Sequence, residues 1–188
     1  MTHRTILSLA VLTTLLSCNF SNQIKDEANS TEKTAKIAMD AELYSVKADF
    51  SKAYEMLRHR QLDSSFSTQS STIYQEINST VKYLDSLRLE MDKLDNMAPE
   101  NVKLVRYLFL EKRIGDSIMQ KLNYSYQLII NSTTAKADKL RFIEVQATFS
   151  EETKKNSFQL NSPFGVSILL FGFESELFKH GTICFNKM

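Results

Sequence analysis

The side chains of this 188-residue chain that could do chemistry are few: His59 and His180, the carboxylate pairs Asp92/Asp95 and Glu151/Glu152, and the thiols of Cys18 and Cys184. A transition-metal site needs imidazole, thiolate or carboxylate ligands at short spacing on one element, or in matched pairs on two. His59 and His180 fall far apart on different predicted helices, and neither is spaced for chelation with acids or cysteine, so no metal is expected. The carboxylate pairs fall on polar stretches, where a solvated surface accounts for them better than general acid/base work. No glycine-rich phosphate loop, Gly-x-Ser-x-Gly elbow or defensible Ser/His/Asp order is present. No catalytic residue and no cofactor is expected, and the chain reads as a non-enzyme. Arg58, His59 and Arg60 form a basic cluster that could dock an acidic partner or lipid headgroups, but cations at a helix C-terminus also complement the macrodipole. Tyr74, Tyr83, Tyr124 and Tyr126 are read as interhelix packing, each burying a ring while its hydroxyl reaches water.

Cys18 closes an apolar run. In "MTHRTILSLAVLTTLLSC" the charged start, Arg4, precedes an apolar segment at 6–16 that is much shorter than the ~20 residues a membrane-spanning helix needs. It reads as a signal peptide. Leu15-Leu16-Ser17-Cys18 resembles the lipobox of bacterial lipoproteins, which implies cleavage before Cys18 and acylation of its thiol and new amino group. The expected organisation is a lipoprotein signal peptide at 1–17, a flexible tether at 18–31, and a domain at 32–188.

The whole chain holds 23 Lys+Arg against 22 Asp+Glu, and residues 1–17 carry Arg4 and no acid, so the remainder is electrically balanced. A neutral domain has no global field to gather nucleic acid or steer a charged substrate. With Cys18 acylated, Cys184 has no intramolecular partner and reads as a small buried thiol.

Four glycines and two prolines are too few to punctuate an all-β fold. At 39–57 the apolar residues Met39, Leu43, Val46, Phe50, Ala53 and Leu57 step by four and three, which predicts a helix with a coiled-coil-like stripe, starting near Ser30 or Thr31 as N-cap. The serine-rich stretch at 64–71 reads as a turn. A second helix carries Ile73, Ile77, Val81, Leu84, Leu87 or Arg88, Met91 and Leu94, and should pack antiparallel to the first. Pro99 suits the first turn of a third helix, with Asn96 or Ala98 outside it, Leu104, Leu108, Ile118, Leu122, Tyr126 and Ile129 on one face, and a weak point at Gly115. At 141–150, Ile143, Val145, Ala147 and Phe149 alternate with polar residues and predict a short extended segment. Ser162-Pro163 opens a last, strongly apolar helix whose stripe is Phe164, Ile168, Phe171, Ser175 and Phe178, widened by Leu170, Phe173 and Leu177. The fold expected is mainly α, an antiparallel helical bundle with that one extended segment.

The blocks "INSTVKYLDSLRLEMDKL", "IGDSIMQKLNYSYQLII" and "NSFQLNSPFGVSILLFGFESEL" resemble the N-terminal periplasmic helical domain of GldM (PorM), the gliding-motility and type IX secretion core protein of Bacteroidetes. Phe158, Pro163, Leu169-Leu170 and Glu174-Ser175-Glu176-Leu177 stand where that family has an aromatic, a proline and a helix with a leucine, polar, acidic run; the likeness covers about residues 35–180. The family is held by a transmembrane helix and continues into β-rich domains, whereas this chain has the lipobox, lacks tryptophan before Phe158 and reads to Met188. The resemblance implies a stand-alone or shortened relative: a non-enzymatic lipoprotein anchored to a bacterial membrane, its domain exported, most simply to the periplasmic side. Such a domain would act through an envelope protein partner or self-association, without nucleic acid or a small-molecule substrate. The alternative is a periplasmic sensor or carrier whose bundle encloses a small molecule.

Overall fold

The computed structural model describes residues 3–60, 64–96, 98–134, 139–140, 142–143 and 162–188, without the side chains of 3–25, 64 and 110. It is mainly α-helical, with helix packed on helix and no strand among the described residues. The helices are α1 (His3–Arg58), α2 (Ser64–Met91), α3 (Pro99–Arg106), α4 (Ile114–Ser132) and α5 (Pro163–Lys187), with a π-helical turn Tyr107–Glu111 after α3. The chain divides into two compact units, Met1–Ala41 and Glu42–Met188. No helix among the described residues is long and apolar enough to cross a membrane.

Residues 18–31, read above as a tether, lie within α1, and Thr31 is not its cap. The Thr31 hydroxyl donates to the Glu27 carbonyl and that of Thr34 to the Ser30 carbonyl, both at 2.9 Å, the back-bonding that threonine makes inside a helix. The serine-rich stretch is also helix: Thr72 donates to the Thr68 carbonyl and Ser70 to the Ser67 carbonyl, and α2 begins at Ser64. The turn lies earlier, at His59 and Arg60.

In the second unit α2 is the common neighbour. Gln69, Thr80 and Tyr83 of α2 meet Ser132, Ser125 and Lys121 of α4, so the two run antiparallel. Ile77, Arg88 and Asp92 meet Gly181, Glu174 and Ser167, so α2 and α5 are antiparallel as well. Tyr126 of α4 and Thr133, which caps its end, meet His180 and Cys184 of α5, which makes these two parallel. Of the extended segment expected at 141–150, Phe142 and Ile143 are helical and the remaining residues lie outside those described.

Ala98 precedes Pro99 at the start of α3, as expected. The break expected near Gly115 falls at Arg113, in the left-handed region at φ 58°. Before it, the Lys112 amide donates to the Tyr107 carbonyl, an i→i+5 bond that inserts one extra residue. One residue is about 100° of helical phase. The core face ahead of the break therefore passes through Val105 and Phe109 instead of Leu104 and Leu108, and Leu104 is exposed.

Ser162 accepts from the Gly165 amide at 3.1 Å and Pro163 occupies the first turn, so α5 starts as read. Its buried stripe is Val166, Leu170, Phe173, Leu177, Gly181 and Cys184. Of the expected stripe, Ser175 and Phe178 are buried, as are Leu170, Phe173 and Leu177 that widened it, but Ile168 is 46% exposed and Phe164 and Phe171 are only half-buried. A helix apolar on nearly every face gives periodicity little contrast to detect.

Candidate functional site

Three groups of side chains give the interior its specific chemistry. The first is aromatic. Phe50 of α1 stacks on Tyr74 of α2 at 5.2 Å and on Phe185 of α5 at 5.2 Å, and tilts against Phe178. Tyr54 stacks on Tyr74 at 4.1 Å. Gly181 makes this possible: a Cβ there would lie 2.5 Å from Phe50 Cε2 and 2.8 Å from Ile77 Cδ1.

The second is ionic. Arg88, 4% exposed, is on the buried stripe of α2 where Leu87 was the alternative. Its Nη2 donates to Asp85 at 2.7 Å, its Nη1 lies 3.8 Å from Asp92, and its Nε lies 3.4 Å from Glu174 Oε1 on α5. Glu174 is fully buried. Asp92, read above as solvated surface, is largely covered and accepts from Ser167 at 2.8 Å. Asp95 does stand exposed, while Glu151 and Glu152 lie outside the described residues.

The third centres on His180, 2% exposed. Its Nδ1 shares a 2.7 Å hydrogen bond with the Tyr126 hydroxyl, and the edges of the Tyr126 and Phe142 rings meet the imidazole. Nε2 lies 3.6 Å from Glu176 Oε2. Burial, with the Glu176 charge second, raises the Tyr126 phenol well above its ordinary value, so it keeps its proton. Outside His180, a cleft of about 340 Å³ is lined by Val46, Asp49, Glu176, Lys179, Thr182 and Ile183. At its rim Lys179 donates to Glu42 at 2.9 Å, and Ser175 donates to the same oxygen. The Lys179 hydrogen bond leads in holding the Glu42 carboxyl below its ordinary range, against a smaller opposing effect of burial.

The structure thus separates His59 from His180. His59 is exposed in the turn after α1, and His180 sits in the core with no metal-holding group of three His, Cys, Asp or Glu among the described residues. Arg58 pairs with Glu55 and lies over the Tyr54 ring at 5.9 Å. The rings of Tyr74 and Tyr126 pack inside as read, but the Tyr126 hydroxyl meets His180 instead of water, and Tyr124 is 54% exposed. Cys184 is a free, buried thiol pushed up to about 11 by desolvation, which a hydrogen bond with Thr133 only partly opposes. Cys18 lies in α1, with its side chain outside the description. Sequence reading missed the His180–Tyr126 and Arg88–Glu174 pairs. The one available signal was a polar residue on an otherwise apolar helix: Glu174 and His180 are both in the most apolar element of the chain. No protein-family model matches the chain, and no curated protein or solved structure is detectably similar to it.

Proposed function

We propose that this is a bacterial envelope lipoprotein, anchored through lipid on Cys18, whose helical domain works by protein contact, as the gliding-motility and type IX secretion domain it resembles would. The reading is supported chiefly by how the interior polar groups are committed. Arg88 meets Asp85, Asp92 and Glu174, Tyr126 meets His180, and Thr80 meets Ser125, each joining or bracing helices. Groups so engaged specify one packing arrangement and give the bundle a fixed surface. Large apolar side chains remain on that surface, among them Leu89, Tyr107, Tyr124 and Ile168, the type that anchors protein contacts.

Palmitate labelling and membrane fractionation test the anchor. Wild type is expected in the membrane fraction with label, because several acyl chains hold firmly where one holds weakly. Cys18→Ala should lose both, and label surviving that change would remove the anchor from the reading. The contact function is tested by capture from envelope extracts with Tyr107→Ser, Tyr124→Ser and Ile168→Ser. Loss of one defined partner with an unchanged thermal midpoint is expected; equal capture by all three variants would refute contact through these side chains.

The cleft beside His180 favours a second reading, a small-molecule sensor or carrier, since about 340 Å³ falls in the range of ligand sites. Ligand stabilises a folded carrier by mass action, so a thermal midpoint raised by a small-molecule pool would favour that reading.

A further inference from the structure

We propose that α3 with its π turn is a hinged strap, which swings off the bundle about Arg113 while the other helices stay folded and so uncovers an apolar seat for a partner's helix. Its anchorage is slight. Between Pro99 and Glu111 only Val105 and Phe109 are buried among the described side chains, whereas α4 buries eight residues and α5 thirteen. Segments with so few buried contacts open locally, well below the free energy of global unfolding. The polar contacts do not hold it down either. Asn101 donates to the Asp95 carbonyl in the turn just before at 2.9 Å, and the Lys112 ammonium lies over the Tyr107 ring at 5.5 Å. Neither of these reaches α4 or α5.

Both ends suit the motion. Asn96 accepts from the Phe164 amide at 3.2 Å, which pins the chain to α5 just before Ala98, an N-cap with no side-chain hydrogen bond. At the other end Arg113 is left-handed, at φ 58° and ψ 28°, which is strained for a residue with a Cβ. The turn before it is wound i→i+5 by the bond from the Lys112 amide to the Tyr107 carbonyl. Opening releases the Arg113 strain, which offsets part of the burial lost.

What the strap covers follows from what it inserts. Val105 and Phe109, spaced i and i+4, join the buried cluster that holds Met91 of α2, Ile118 of α4, and Val166 and Leu170 of α5. The seat is therefore filled by one face of a helix already. The ligand able to displace the strap is another helix with apolar side chains at that spacing. The partner half of the proposal rests on the protein-contact reading; the hinge does not.

Amide hydrogen exchange of the full chain in low urea tests the hinge. Corrected for intrinsic rates, the hydrogen-bonded amides of 105–112 are expected to exchange at least about a hundredfold faster than those of 118–130, with little urea dependence because little surface opens. Arg113→Gly relieves the left-handed strain and should slow that exchange about fivefold. The seat is tested with a fluorescent peptide of residues 98–112. A Val105→Asp/Phe109→Asp variant, its strap loosened, should bind the peptide saturably and at least about tenfold tighter than wild type does. A peptide carrying the same two changes should bind neither protein. Phe109→Ala, a milder change, takes the place of the double variant if α4 loses its exchange protection there. The hinge is refuted if 105–112 exchange in step with α4, or if Arg113→Gly exchanges like wild type. The seat is refuted if the peptide binds wild type and variant alike, or fails to bind a variant in which α4 stays protected. Neither failure bears on Cys18 labelling or on capture through Tyr124 and Ile168.

Discussion

His180 is the residue at which a candidate for chemistry turns out to hold the fold as well. An imidazole 2% exposed and hydrogen-bonded to a fully buried phenol ties α4 to α5, and removing either partner takes a buried hydrogen bond from the other. Tyr126→Phe and His180→Ala are each expected to cost about 1–3 kcal/mol, and the double variant less than the sum, as for residues sharing one interaction. Urea unfolding of the three variants measures this; full additivity would remove the pair from the account. The same phenol sets an alkaline dependence. Because burial raises the Tyr126 value, its contribution is fully present below about pH 10, the unfolded value, and is lost as pH rises through the higher folded one. Cys184, pushed up to about 11 from an ordinary 9.0, adds loss of the same sign across that interval. Tyr126→Phe should therefore start less stable at neutral pH and fall less steeply in alkali than wild type. The histidine was visible in the sequence, but its partner, 54 residues away, was not: only the fold brings them together.

At the scale of elements, close approach of α5 to α1 and α2 turns on one missing methyl group. Gly181→Ala would set a Cβ 2.5 Å from the Phe50 ring, and that ring cannot retreat because it lies against Tyr74, Phe178 and Phe185. Overpacking of this kind costs about 1–3 kcal/mol, outweighing the ~1 kcal/mol by which alanine favours a helix over glycine. Gly172 on the same helix has nothing within 4 Å of its Cβ position, so Gly172→Ala keeps the propensity gain and should stabilise by about 0.5–1 kcal/mol. Thermal melts with opposite shifts are expected, and shifts of one sign would contradict the packing. Two neighbouring phenylalanines make a similar contrast. Phe173 is buried and Phe171 half-buried, so Phe173→Ala should cost about 3–5 kcal/mol and Phe171→Ala clearly less. Equal losses on chemical unfolding would return Phe171 to the buried face on which the sequence reading placed it. Phe164, Ile168 and Phe171 were misplaced, while Leu170, Phe173, Ser175, Leu177 and Phe178 are buried as read, for a physical reason: where Phe, Leu and Ile occupy most positions, tertiary contact and not periodicity selects the inner face. In α3 and α4 the pattern was legible on both sides of the break, but the extra residue of the π turn shifted its phase ahead of Arg113. Ser162-Pro163 and Ala98-Pro99, by contrast, were readable because capping and proline geometry are local.

Across the whole second unit, the antiparallel register of α2 and α5 is marked by one buried ionic contact, and its two ends are not equivalent. Arg88 has three carboxylates around it, Asp85, Asp92 and Glu174, whereas Glu174 meets Arg88 from within a helix of apolar neighbours. Removing the cation takes the Arg88 charge away from a fully buried carboxylate, a loss of the size, about 3–5 kcal/mol, measured when one member of a buried pair is deleted. Removing the carboxylate instead leaves Arg88 still paired with Asp85 and Asp92, so the penalty should be smaller. Arg88→Met is therefore expected to destabilise more than Glu174→Leu. The double replacement should recover most of the loss, because apolar residues of similar volume often substitute for a buried pair without penalty. What the double variant gives up is the charge match that distinguishes this register from one displaced by a helical turn. If the pair serves specificity, the double variant should unfold with a broader transition at near-native stability. Denaturant unfolding of the three variants, followed by both near- and far-ultraviolet circular dichroism, separates these outcomes. Equal destabilisation by the two single changes would mean that Asp85 and Asp92 do not share the Arg88 charge as their distances imply.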